Sequence, residues 1–219
     1  MKDNSVINVL AVAITVAAWG GLRLLLHPGP PAIDRRAHEA VGEVLAAEAA
    51  KVLQPGARLV VIARAPKPCE VPASAAQLTG FLRTLKQSGL AVTSMHEIKL
   101  DPLRRVAVPP GDFYDLLRLG RDNDVIVSFL GPPAMEPAQL AKLGNRRPRV
   151  LAVCAGSLAA PVNLRQLFQQ RLLVAAVVSR DDAPAHSTAR NKRLAFEQMF
   201  KLITPANLAE LPAASVARN

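Results

Sequence analysis

Four short runs of this chain are apolar on both faces of an extended backbone: RLVVIARA from Arg58, DVIVSFLG from Asp124, RVLAVCAG from Arg149 and LLVAAVVS from Leu172. A strand with one face in water alternates apolar with polar residues. These do not, so they belong to a parallel sheet covered by helices on both sides. A fifth run, LAVTSMHEIKL from Leu90, is polar enough for an edge strand.

Helical spacing fills the intervals. Ile33, Ala37, Ala40, Val41, Val44, Leu45 and Val52 form one stripe that stops before Pro55-Gly56. Ser74 with Gln77, and Asn163 with Gln166, have capping-box spacing. Asp112 can cap the helix carrying Phe113, Leu116 and Leu117, and Pro137 suits the first turn of another. Phe196, Met199, Phe200 and Ile203 predict a last helix covering the fifth strand, and Thr204-Pro205 opens one more short turn. Strict alternation predicts an α/β fold: a single doubly wound, mainly parallel five-stranded sheet of order 2-1-3-4-5 with helices on both faces, preceded by one transmembrane helix.

That leading segment is VINVLAVAITVAAWGGLRLLL, where only Asn8, Thr15, Gly20, Gly21 and Arg23 interrupt the apolar run. A helix of this length crosses about 30 Å of hydrocarbon. His27-Pro28-Gly29 after Leu26 offers no small-x-small cleavage site, so residues 5–26 read as an uncleaved signal-anchor contacting membrane lipid. Trp19 suits the headgroup zone, and Arg23 can reach water from the last turn. Counting Arg23, Arg35 and Arg36 against Lys2 argues for a cytoplasmic body. The very short N-terminal tail argues for export, and the reading follows it: a single-pass protein with its domain on the periplasmic or extracytoplasmic side. The layout is then anchor 5–26, Pro/Gly linker 27–32, α/β domain 33–204, and a short helical turn with a loose tail over 205–219.

Ligands of such sheets bind at the carboxyl ends of the strands. The first such loop, APKPCEVPAS, has no glycine and makes neither a dinucleotide turn nor a P-loop. CAGSLAAPVN places Gly156 and Ser157 before a helix, a candidate anion site. No GxSxG surrounds Ser157, and no histidine and acid are evidently assigned to it. Asp181, Asp182 and His186 form a polar turn that could serve a metal or acid-base chemistry, though such a cluster is more often a solvated turn. Cys69 and Cys154 are too few for a disulfide framework and lack zinc spacing. No cofactor, metal or catalytic set is assigned, and the chain reads as a non-enzyme.

Charge changes the picture more than these loops do. The formal net charge is +10, and no Asp or Glu lies between Pro137 and Ser179, where Lys142, Arg146, Arg147, Arg149, Arg165 and Arg171 stand. Because NRRPR and Arg171 precede strands, Arg146, Arg147, Arg149 and Arg171 should cluster at the amino-end rim as a partner-binding patch. An acidic protein or anionic headgroups fit it, and nucleic acid ranks last for want of stacking aromatics nearby; apart from this patch, a homo-oligomer is a further candidate assembly. A purely solvated face is the plain alternative.

The runs RLVVIARA, DVIVSFLG and RVLAVCAG, alternating with amphipathic helices behind an export-like segment, resemble one lobe of a periplasmic-binding-protein domain, or equally a flavodoxin-like domain, over Arg58 to Ser179. The resemblance implies an extracytoplasmic compartment and that lobe's topology. Solute-binding proteins of this type close two lobes on a ligand, whereas about 190 residues make one lobe-sized domain, and no binding residues carry over. The leading function is a non-catalytic, membrane-tethered accessory or assembly subunit. The alternatives are a small-ligand binding or sensor domain of periplasmic-binding type, and an enzyme with its site at the carboxyl ends of the strands.

Overall fold

The apolar runs become strands β1 (Leu59–Arg64), β3 (Val125–Ser128), β4 (Arg149–Cys154) and β5 (Leu173–Ser179), and the polar run becomes β2 (Ser94–Ile98). The computed structural model describes residues 3–26, 33–66, 71–99, 108–133, 135–144, 147–155, 164–184 and 186–211. The first five strands are parallel in the order β2-β1-β3-β4-β5, as the alternation predicts. The sheet has six strands rather than five: β6 (Phe200–Ile203) pairs antiparallel with β5, Val177 opposite Leu202. The helix expected to run on to Ile203 is α7 (Lys192–Met199), capped by Asn191, whose side chain accepts from Leu194 N at 2.9 Å. Phe200 is already extended, because the open edge of β5 offers the backbone a full set of partners that a further helical turn would leave unmet.

Helices α2 (Arg35–Val52), α3 (Pro72–Gln87), α4 (Pro110–Leu119), α5 (Pro137–Lys142) and α6 (Leu164–Gln169) fill the crossovers and flanks. Asp34 caps α2 by accepting from Arg36 N and Ala37 N. The capping box expected from Ser74 and Gln77 is absent: α3 starts earlier, at Pro72, whose fixed φ suits a first turn. Gln77 is instead buried, its Nε2 lying 3.3 Å from His38 Nδ1. Pro137 opens α5 as expected, and Glu136 N donates to Gln139 Oε1 at 3.1 Å. Asp112 does not cap α4, which starts earlier, after Pro109; it sits inside the first turn, where its charge suits the helix dipole. A 3-10 turn over Pro205–Glu210 follows β6. Asn163, Cys69, the linker 27–32 and the tail from 212 lie outside the described residues.

Alternate strand residues fill two cores. Val61, Val127, Leu151 and Val177 pack under α2, α3 and α7. Ile62, Ile126, Ala152 and Val178 pack under α4, α5 and α6. Burying one such Val, Ile or Leu side chain contributes about 1.5–3 kcal/mol. At the amino edge Asp124 ties β1 to β3: its carboxylate accepts from Arg58 N at 3.0 Å, from the Arg58 guanidinium and from Arg121 N at 2.8 Å. Burial opposes its ionisation, but those bonds outweigh burial and hold its pKa below the ordinary value.

The chain divides into two units, residues 1–32 and 33–219. In the first, the expected anchor is one continuous helix, α1 (Asp3–Leu26). Among the described residues, however, no helix is long and apolar enough to cross a membrane. Val12, Ile14, Val16, Trp19 and Leu22 are all exposed.

The contact between α2 and α3 is backbone on backbone. A Cβ on Gly42 would stand 1.9 Å from the Gln77 carbonyl oxygen, and one on Gly80 would stand 2.1 Å from that of Glu39. Beside this crossing, Glu39 and Glu43 each accept from Arg83 and Lys192 at 2.7–2.9 Å, joining α2 to α3 and α7. Bonds from Lys192 and Arg83 bring the Glu39 carboxyl down to about 2 from its ordinary 4.5.

Gly42→Ala should therefore lower the melting temperature by several degrees, an overpacking cost of about 1–3 kcal/mol or more. Gly111→Ala, where a Cβ meets nothing within 4 Å, should leave it unchanged in the same thermal denaturation by circular dichroism. Glu39 makes a second prediction. Its folded pKa lies below its unfolded value, so its stabilisation is complete above pH 4.5 and is lost as pH falls through about 2. The gap in melting temperature between the wild type and Glu39→Gln should be widest near neutrality and close as pH drops across that window.

Candidate functional site

In the order β2-β1-β3 the chain leaves β1 to one side and then crosses to the other, which makes the carboxyl end between β1 and β3 the switch point of the sheet. A cleft of about 130 Å³ opens beside it, lined by Arg64, Val71, Ser74, Leu78, Glu97 and Phe129 among others. Arg64 ends β1 half-buried, Glu97 is exposed on β2, and the start of α3 supplies Val71 and Ser74. Phe129 forms the wall, held edge-on against Phe81 at 5.4 Å between ring centroids. The register sets the Glu97 side chain on the α3 side of the sheet with Ala63 and Phe129, and that of Arg64 on the opposite side with Ile62, so the cleft offers a carboxylate and a hydroxyl over an apolar floor.

Sequence reasoning missed Arg64 and Glu97. Their signal was available, since each is a charged residue at or near the carboxyl end of a parallel strand. The anion-site candidates Gly156 and Ser157 lie outside the described residues. Ser128 is tied up in a turn, donating to Gly131 O at 2.8 Å and accepting from Leu130 N at 3.3 Å. Burial pushes the Cys154 thiol up to about 12, so it is not a thiolate at neutral pH. Asp182 is held by Arg180 through two bonds of 2.9 and 3.0 Å, and among the described residues no group of His, Cys, Asp and Glu is placed to hold a metal ion.

At the amino end the expected arginine cluster takes a definite form. Arg147, Arg149 and Arg171 line one open cleft of about 890 Å³, together with Asp122 and Gln170, while Arg146 lies outside the described residues. Arg147 donates to the carbonyls of Gly144, Leu140 and Gln170, at the ends of α5 and α6. Arg149 donates to Val52 O at 2.7 Å, at the end of α2. These two guanidiniums satisfy carbonyls that a helix end leaves open and sit where the dipole favours a cation. They are thus structural residues as well as positive charge.

Arg171 differs from both. Its side chain is exposed, and its backbone is left-handed, with φ 56°. It closes α6 in a Schellman arrangement, Arg171 N to Phe168 O and Leu172 N to Leu167 O, at the position that glycine usually fills. No other non-glycine among the described residues has positive φ.

No protein-family model matches this sequence, and neither does any curated protein. Solved structures do resemble it. An arabinose binding protein from Geobacillus stearothermophilus aligns with a TM-score of 0.52 at 14% identity over 80% of this chain and 63% of that one. A glucose-galactose binding protein from the same organism aligns at 0.47 with 13% identity over 83% and 62%. A carbohydrate transporter solute binding protein from Agrobacterium Radiobacter, in complex with D-arabinose, aligns at 0.48 with 13% identity over 81% and 61%. The chain spans about three-fifths of the length of these proteins, 61% to 63%. What is shared is the fold, and this chain has a periplasmic-binding-protein-like α/β domain.

Proposed function

We propose that this chain is a small-ligand binding or sensor domain of periplasmic-binding type, and that it is not an enzyme. The observation that carries the reading is the cleft at the switch point, where Glu97 and Ser74 stand beside the apolar Val71 and Leu78 at the end of the sheet that such folds use for ligands. A hydroxyl and a carboxylate beside an apolar wall suit a small polyhydroxylated molecule. The solved relatives named above bind arabinose or glucose and galactose, so a pentose or hexose is the first ligand to test. The cleft is small beside the roughly 300–1,000 Å³ of a usual ligand pocket, so it supplies one wall of the site. Export of the domain belongs to the same proposal. Its attachment through α1 rests on the sequence, since no described helix is long and apolar enough to cross a membrane.

A pentose or hexose at about a hundred times its Kd should stabilise the folded chain by about 2.7 kcal/mol, a rise of several degrees in melting temperature. Glu97→Ala should abolish that rise while leaving the ligand-free melting temperature close to the wild type. A panel of such sugars that gives no shift with the wild type, or the same shift with the variant, defeats the proposal.

A second reading has its own observation. Arg171 is an exposed cation held at a backbone angle that costs a non-glycine residue about 1–2 kcal/mol. Strain of this kind is kept where the side chain is needed, and the need that fits is an acidic surface facing the Arg147, Arg149 and Arg171 cleft. This is the accessory-module reading, with the amino-end rim as its contact. Arg171→Gly should raise the melting temperature by a few degrees and at the same time weaken binding of poly-L-glutamate, with a shallower salt dependence. Unchanged polyanion binding in a stabilised variant would reduce Arg171 to a solvated residue.

A further inference from the structure

In a chain whose formal net charge is +10, an acid with no cation beside it stands out. Glu39 and Glu43 are paired with Arg83 and Lys192, Glu48 with Lys51, Asp124 with Arg58 and Asp182 with Arg180. Glu97 lines the carboxyl-end cleft, and among the described residues no lysine, arginine or histidine pairs with it. Lys99, two residues along the chain, is exposed and leaves it unpaired.

The cleft is polar in opposite senses at β2 and at α3. From β2 comes the Glu97 carboxylate, which only accepts hydrogen bonds. From α3 come donors: Val71 gives no side-chain cap, and the first helical bond is Ala75 N to Val71 O at 3.1 Å, so the amides of Ala73 and Ser74 precede the ladder beside the Ser74 hydroxyl. A neutral sugar meets those donors with its hydroxyl oxygens and offers Glu97 one uncharged O–H. With a protonated amine in place of that hydroxyl, the α3 contacts stay and the carboxylate receives a charged donor. A hydrogen bond to an ionised partner is roughly twice as strong as a neutral one, and the apolar Val71 and Leu78 beside it keep water from weakening it. The protein's overall positive charge acts the other way, but it is screened over about 8–10 Å, whereas the carboxylate acts at contact.

We propose that the ligand class of this cleft is an amino sugar, its protonated amine held by Glu97 and its hydroxyl oxygens turned to the start of α3. This rests on the sugar-binding reading of the same cleft and adds the residue that sets specificity within it. Glu97 ranks sugars by charge: an amino sugar first, its neutral counterpart second, and a sugar acid last, because a second carboxylate would face Glu97 without a cation between them. The net charge of the chain, acting alone, ranks the three in the reverse order.

The experiment is isothermal titration calorimetry of the full chain in mild detergent with glucosamine, glucose and glucuronate, and with galactosamine, galactose and galacturonate. In at least one series the amino sugar should bind about five- to tenfold more tightly than its neutral counterpart, the size of one charge-assisted hydrogen bond set against a neutral one, and the acid should bind most weakly. Glu97→Gln keeps a hydrogen-bonding side chain of the same length and removes its charge, so the ratio of amino sugar to neutral sugar affinity should fall to about one. A melting temperature within a degree or two of the wild type shows that the variant folds. Equal affinities within both series of the wild type, or an amine preference that survives in Glu97→Gln, overturn the proposal and leave sugar binding standing. Tightest binding of the acid assigns selection to the net charge and overturns it as well. Failure of all six sugars to bind removes the sugar-binding reading itself, and the proposal with it.

Discussion

Where α2 passes α3, at Gly42 and Gly80, the two backbones come so close that neither position has room for a Cβ, and the sheet's second face depends on that contact. Right-handed crossovers in the order β2-β1-β3-β4-β5 send α4, α5 and α6 to one side and leave α3 as the only crossover helix on the other. One helix cannot cover strands that are apolar on both faces. The chain therefore brings in α2, from before the first strand, and α7, from after the last parallel one. Ala37, Ala40, Ala46 and Ala49 on α2 let it lie close to the sheet, while the ion pairs of Glu39 and Glu43 with Arg83 and Lys192 fix all three helices together.

The parallel core was legible because its constraint is written locally. Val125-Ile126-Val127 and Val150-Leu151-Ala152-Val153 carry no alternation, which only a sheet covered on both sides explains. The sixth strand was not legible. Phe196, Met199, Phe200 and Ile203 fit a helical stripe as well as Phe200-Lys201-Leu202-Ile203 fits an edge strand, and the decision came from the unpaired side of β5, a partner far away in three dimensions. Ser74 failed as a cap for a related reason, because Pro72 starts α3 sooner. The grouping of Arg147, Arg149 and Arg171 could be read from their places before strands, but their bonds to the ends of α2, α5 and α6 could not. Arg64 and Glu97 carried the weakest signal, since a cleft exists only once β1, β2 and α3 are assembled.

The two ends of the sheet thus differ in chemistry. The amino edge is a structural seam: Asp124 holds β1 to β3, and the arginines close helix termini, so part of the chain's excess positive charge offsets helix dipoles from within. Among the described arginines of that cluster, Arg171 alone leaves its side chain outside that work, closing α6 through its backbone. At the carboxyl edge, Ser128 holds the turn after β3 through Leu130 N and Gly131 O.

The position of α2 also sets an order of events during synthesis. It is the first element of the domain to leave the ribosome, yet its partners include the last. Lys192 reaches Glu39 and Glu43, the Phe200 ring lies 5.5 Å from that of His38, and Arg36 reaches the Arg190 carbonyl. Until those residues emerge, α2 waits with part of its apolar stripe uncovered, and a nascent chain halted before Lys192 has a sheet whose second face is incompletely closed. Closure of that face therefore waits for Lys192 to Phe200, and the unfinished intermediate is the form most exposed to chaperones and proteases.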